Sequence, residues 1–129
     1  MAGIPIGLQM YTLREQCAED FPGALKKVAE IGYDGVELAG SYGISATDLK
    51  SLLGDLGLEA AGTHTGIEAL NDDLDGVCDF WNTVGAKYLT FSSVAESYRE
   101  DGEGWKNTGK ILTECGNLLL ERGFQLSYH

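Results

Sequence analysis

The chain has 129 residues and 43% hydrophobic content, enough for one domain with a real core. Its 20 acidic against 9 basic residues give a net charge of −11, which argues against nucleic-acid and membrane-surface partners. Three cysteines (Cys17, Cys78, Cys115) lack CxxC spacing, the N-terminus has no signal-peptide pattern, and no apolar run approaches the ~18 residues of a membrane span, so a cytoplasmic location is expected.

Along the chain one unit recurs: a helix-like segment ends at glycine, and a short apolar strand begins two or three residues later. The glycines are Gly32, Gly57, Gly85 and Gly123, at intervals of 25, 28 and 38 residues. Glycine closes a helix in the left-handed conformation, and the spacing suits successive βα units. The first strand is expected over Ile6–Tyr11. Helix 1 follows over Phe21–Ile31, with Asp20 as N-cap and Pro22 in the first turn. Strand 2 is Gly35–Ala39, and helix 2 is Ala46–Leu56, capped by Ser45 with Asp48 three residues on. Strand 3 (Ala60–His64), helix 3 (Asp72–Val84), strand 4 (Tyr88–Ser92), helix 4 (Trp105–Arg122) and strand 5 (Gln125–His129) complete the pattern. No proline-rich linker or low-complexity tract interrupts it, so one domain over 1–129 is expected.

Alternating strands and helices imply a parallel sheet with right-handed crossovers. Two α/β architectures fit four βα units plus a fifth strand. One is about half of a TIM barrel. The other is a five-stranded open sheet of the flavodoxin or response-regulator type. The half-barrel is favoured because no helix follows strand 5. Strand 1 also runs into Gln9, Met10 and Tyr11, with neither paired acids nor a phosphate loop. A half-barrel leaves two open edges and an uncovered inner face. Apolar patches there would invite association, so the expectation is either a homodimer covering that face or a fragment whose partner segment is missing.

In parallel β/α folds ligands bind at the carboxyl ends of the strands. Polar residues gather at those ends: Gln9, Tyr11 and Thr12, then Glu37, Thr63-His64-Thr65, Ser92-Ser93, and Tyr128-His129. Glu37 sits among apolar neighbours, where a carboxylate needs a cation, a metal or a sugar hydroxyl. A structural Arg or Lys would satisfy it equally. His64 is either a backbone-satisfied core histidine or a substrate contact able to exchange protons near neutral pH. Gln9 and Tyr11 are substrate contacts or barrel packing. His129, the last residue, is a candidate metal ligand or an inert end. Trp81 and Trp105 read as core or helix-shell residues.

The stretch from Ile6 to Arg14, followed by Ile31-Gly32-Tyr33-Asp34-Gly35-Val36-Glu37-Leu38-Ala39, resembles the opening of the sugar phosphate isomerase/epimerase family, whose members are xylose isomerase-like TIM barrels. Ala46–Leu53, Thr63-His64-Thr65-Gly66, Gly85–Leu89 and the terminal Leu126-Ser127-Tyr128-His129 fit the same series, in order, over essentially the whole chain. The resemblance implies an enzyme that interconverts sugars or polyol-derived ketoses by proton transfer next to a carbonyl, assisted by a divalent metal (Mn²⁺, Mg²⁺, Zn²⁺ or Co²⁺). It implies a substrate or active-site contact at His64, a polar pocket-lining role for Glu37, and a metal-facing position at or beside His129. The family carries most metal ligands and its catalytic acids on strands 5 to 8, and strands 6 to 8 are not in this chain. Weak or no metal binding by the chain alone follows. The alternative is a non-catalytic half-barrel, serving assembly or binding a small ligand.

Overall fold

Each of the four repeated glycines takes a positive φ, at 104° (Gly32), 67° (Gly57), 101° (Gly85) and 85° (Gly123). A side chain there would crowd the backbone, so glycine lets each helix stop and the chain turn into the sheet. The computed structural model describes residues 3–92, 94 and 96–129; Ser93, one of the polar residues placed at the end of strand 4, lies outside the described residues.

Five strands, β1 (Gly7–Gln9), β2 (Gly35–Leu38), β3 (Glu59–Thr65), β4 (Tyr88–Phe91) and β5 (Gln125–Tyr128), form one parallel sheet in the order β1-β2-β3-β4-β5. Four helices alternate with them: α1 (Arg14–Ile31), α2 (Ala46–Leu56), α3 (Ile67–Val84) and α4 (Asp101–Glu121). Among the described residues β1 pairs only with β2. A flavodoxin-type sheet reverses its strand order beside β1; this one runs monotonically, as a barrel does.

The helices cover one face of the sheet. Val36, Leu38, Leu89 and Phe91 alternate along the strands and are buried with Leu25, Val28, Leu49 and Leu119 from the helices. Trp81 is in this core, whereas Trp105 is half-exposed. The opposite face is the concave one that a closed barrel would turn inward. It is polar rather than apolar: Gln9, Glu37, His64, Thr90 and Ser127 lie on it, beside Tyr88 and the small residues Ala61 and Gly62. The large exposed apolar side chains include Ile4 and Ile6, leading into the β1 edge, and Tyr128 on the β5 edge. No helix among the described residues is long and apolar enough to cross a membrane.

Three helix starts differ from the sequence expectation, and near each an aspartate side chain caps the turn that follows it. Within α1, Asp20 leaves helical geometry (φ −152°, ψ 86°) and its Oδ1 accepts from the Gly23 N–H at 3.0 Å. The expected helix from Phe21 is there, but a preceding turn from Arg14 is fused to it. In α3, Asp73 does the same (φ −152°, ψ 70°), accepting from Gly76 N–H at 2.9 Å; a preceding turn from Ile67 is fused to the expected helix. Asp101 Oδ1 accepts from the Glu103 and Gly104 N–H groups at 2.8 and 3.1 Å, which starts α4 four residues before Trp105. Strand 1 is shorter than expected because the chain enters a 3-10 turn over Met10–Leu13. Helix 2 matches, with Ser45 Oγ accepting from Asp48 N–H at 3.2 Å.

Candidate functional site

The polar residues of the concave face are set by strand register. Gln9 is opposite Glu37, and Thr90 is opposite both His64 and Ser127. Between β2 and β3 the register slips: Val36 pairs with Ala60, but Glu37 pairs with Gly62. This bulge leaves Ala61 unpaired. It also sets the phase of the rest of β3, so that Gly62 and His64 share the concave face while Thr63 is fully buried against the helices. Gly62 permits close approach, since a Cβ there would come within 2.8 Å of the Tyr88 carbonyl oxygen.

Hydrogen bonds join these side chains across all five strands. Gln9 Nε2 donates to Glu37 Oε2 at 2.6 Å and lies 3.1 Å from His64 Nε2. Glu37 Oε1 accepts from Thr90 Oγ1 at 3.4 Å, and Thr90 Oγ1 lies 2.8 Å from Ser127 Oγ. His64 Nε2 is 3.7 Å from Glu37 Oε2, and no Arg or Lys pairs with Glu37 among the described residues. The side chains of Glu37 and His64 keep 34% and 16% exposure, so both are within a ligand's reach. A groove of about 400 Å³ runs over Gln9, Glu37, Tyr88, Thr90 and Ser127. A larger cavity of about 660 Å³, lined by Lys50, Glu59 and Lys87 among others, opens at the amino ends of β3 and β4. In β/α folds that end carries stability and the carboxyl end carries chemistry, so the smaller groove is the candidate site.

The structure brings Gln9, Glu37 and His64 together. Tyr11 stands apart: it lies in the 3-10 turn, its ring is exposed with the Arg14 guanidinium 5.1 Å from its centroid, and its contribution is the backbone N–H that Gln9 Oε1 accepts at 2.8 Å. His129 is tied to β4 by its N–H to Phe91 O at 2.8 Å, and its ring stands edge-on to His64 at 5.9 Å between centroids. Thr90 and Ser127 were not singled out in the sequence. The available signal was alternation, since positions 88, 90 and 92 on β4 and 125, 127 and 129 on β5 share a face.

Three converging ligands are needed for a tight cation site. Among the described residues, no three His, Cys, Asp or Glu side chains converge. Glu37 Oε2 and His64 Nε2 are both engaged by Gln9. The residues present do not by themselves fit a resident metal ion. The cysteines are free and buried. Burial pushes all three thiols upward; for Cys17 a hydrogen bond with Tyr42 opposes this, and for Cys78 the Arg122 charge does. None is a reactive thiolate at neutral pH.

No protein-family model matches the chain. It is 25% identical over 134 residues to the rhizopine catabolism protein MocC of Rhizobium meliloti, covering 89% of this chain and 39% of that protein. Among solved structures, a sugar phosphate isomerase/epimerase from Parabacteroides distasonis superposes over 100% of this chain and 52% of its own, with a TM-score of 0.73 and 23% identity. A family 2 AP endonuclease from Brucella melitensis gives a TM-score of 0.77 at 15% identity, over 97% of this chain and 55% of its own. An IolI protein with a bound zinc atom gives 0.74 at 16%, over 97% and 51%. The fold is that of a xylose isomerase-like TIM barrel, over about half its length. In such a barrel the polar groove described above lies on the inward face of the strands, with Gln9, Glu37, Thr90 and Ser127 toward their carboxyl ends. The chain spans 39% of MocC and about half of each of these three structures, and the neighbours' chemistries differ, so the half-barrel by itself does not choose a reaction.

Proposed function

We propose that this chain forms the substrate-lining half of an isomerase or epimerase site that interconverts sugars or polyol-derived ketoses by proton transfer beside a carbonyl. The observation that carries the reading is the hydrogen-bonded row Gln9, Glu37, His64, Thr90 and Ser127 across five adjacent strands of a xylose isomerase-like barrel. A ligand studded with hydroxyls matches such a row. The Glu37 carboxylate accepts from a hydroxyl, the Thr90 and Ser127 hydroxyls both give and accept, and the His64 ring adds a further polar contact. The proton-shuttling acids and most ligands of a divalent metal are placed outside these residues in this reading, with His129 as this chain's contribution.

A second reading, a half-barrel that binds a small ligand without turnover, is favoured by the absence of any three-ligand cluster among the described residues. Under either reading the open β1 and β5 edges are covered by a second copy of the chain, and the three buried free thiols fit the cytoplasm. Titration calorimetry with D-fructose and myo-inositol tests the site. Weak, millimolar binding is expected, falling about fivefold in Glu37→Gln, because a hydrogen bond to a charged acceptor is worth about 1 kcal/mol more than one to a neutral acceptor. Equal binding by the variant would remove Glu37 from the site.

A further inference from the structure

We infer that Gln9 is a positioning residue that holds His64 as the Nδ1–H tautomer, so that His64 offers its ligand a hydrogen-bond donor and not a lone pair. The inference deepens the ligand-binding reading of the groove. Its core concerns only the resting site.

The amide orientation of Gln9 is fixed from two sides. Its Oε1 accepts the Tyr11 backbone N–H at 2.8 Å. A backbone N–H can only donate, so the oxygen must face it. Reversing the amide would set an NH₂ against that N–H and a carbonyl oxygen against the Glu37 carboxylate. Nε2 therefore faces Glu37 Oε2 at 2.6 Å and His64 Nε2 at 3.1 Å. An amide NH₂ has two hydrogens and no lone pair to share. One hydrogen goes to Glu37 and the other to His64, so His64 Nε2 must accept. The proton of the neutral ring is then on Nδ1.

Glu37 offers the competing arrangement. Its Oε2 lies 3.7 Å from His64 Nε2, and an Nε2–H would be drawn toward it. That proton would meet the Gln9 NH₂ donor to donor at 3.1 Å. Gln9 thus stands between an acid and an imidazole that would otherwise bond each other. His64 Nδ1 has no hydrogen-bond partner among the described residues, and the His64 side chain keeps 16% exposure. A hydroxyl or carbonyl oxygen fits that N–H. A cation does not, and Nε2 is closed to a metal while Gln9 is in place.

Long-range ¹H–¹⁵N NMR of the full chain at about pH 8, where an ordinary imidazole is neutral, reads the tautomers directly. The chain has 2 histidines, and His129→Gln assigns them. The expected result is Nδ1–H at His64 in at least tenfold excess. In Gln9→Met, of similar volume but without donors, His64 should shift toward Nε2–H facing Glu37, with the His129 signals unchanged. A wild-type His64 that is mainly Nε2–H overturns the inference. So does an unchanged tautomer in Gln9→Met that keeps the wild-type spectrum elsewhere. D-fructose then tests the groove separately: failure to move the His64 Nδ1–H signal counts against the ligand reading and leaves the tautomer standing.

Discussion

Replacing Gly62 with alanine tests how closely β3 and β4 approach. A Cβ at this position would be 2.8 Å from the Tyr88 carbonyl oxygen and 3.0 Å from the Tyr88 Cβ. Ordinary van der Waals contact begins near 3.4 Å, so the strands must part by roughly half an ångström. Both obstacles belong to the rigid part of the sheet and not to a flexible side-chain tip. Overpacking of this kind costs about 1–3 kcal/mol. Alanine recovers roughly 0.5–1 kcal/mol through the stiffer unfolded chain. The net expectation is a loss of about 1–2 kcal/mol, or a Tm lower by roughly 3–10 °C. Gly54→Ala in α2 is the control: a Cβ there meets nothing within 4 Å, and the change should stabilise by about 0.5–1 kcal/mol. Urea unfolding of the two variants beside wild type measures both. A Gly62→Ala chain as stable as Gly54→Ala would refute the close approach, and with it the register that places His64 on the concave face.

Asp20→Ala and Asp73→Ala each remove a side-chain cap, and each should lower stability by about 1 kcal/mol in urea unfolding. The caps sit on different helices, so the double variant should be additive within a few tenths of a kcal/mol. Alkaline pH should weaken the fold. Burial raises the Cys17, Cys78 and Cys115 thiols above their ordinary 9.0. The folded state therefore favours the neutral thiols, and this stability is complete below about pH 9 and lost as pH rises through the folded values. Urea midpoints between pH 8 and 11 should fall more in wild type than in a Cys→Ala triple variant, and aromatic disulfide reagents should label native thiols slowly at pH 8. Light scattering should find a dimer at micromolar concentration, whereas a well-behaved monomer there would count against closure of the open edges by a second copy. Calorimetry with Mn²⁺ should give a Kd no tighter than about a millimolar, since fewer than three ligands converge.

Much of the fold is legible because its signals are local. The four glycines, the Ser45 cap and the Asp20 cap depend on a few neighbouring residues, and each is found where expected. What escaped is equally physical. The turn Arg14–Glu19 has too few apolar residues to show helical periodicity, and it is joined to the next segment through a non-helical Asp20. The first turn of α3 follows Gly66, which has no capping side chain to announce it. In the site, Glu37 and His64 stand out because an acid and an imidazole are conspicuous between apolar residues. Thr90 and Ser127 do not, since threonine and serine are ordinary in strands. The slip at Ala61 left no mark in composition, yet it decides which side of β3 faces the groove.

The account rests on ligand binding at the carboxyl ends of the strands, and NMR mapping of myo-inositol and D-fructose onto the backbone amides tests that most directly. Perturbations should centre on Gln9, Glu37, His64, Thr90 and Ser127, and weaken in Glu37→Gln. Perturbations centred on Lys50, Glu59 and Lys87 around the larger amino-end cavity would contradict it.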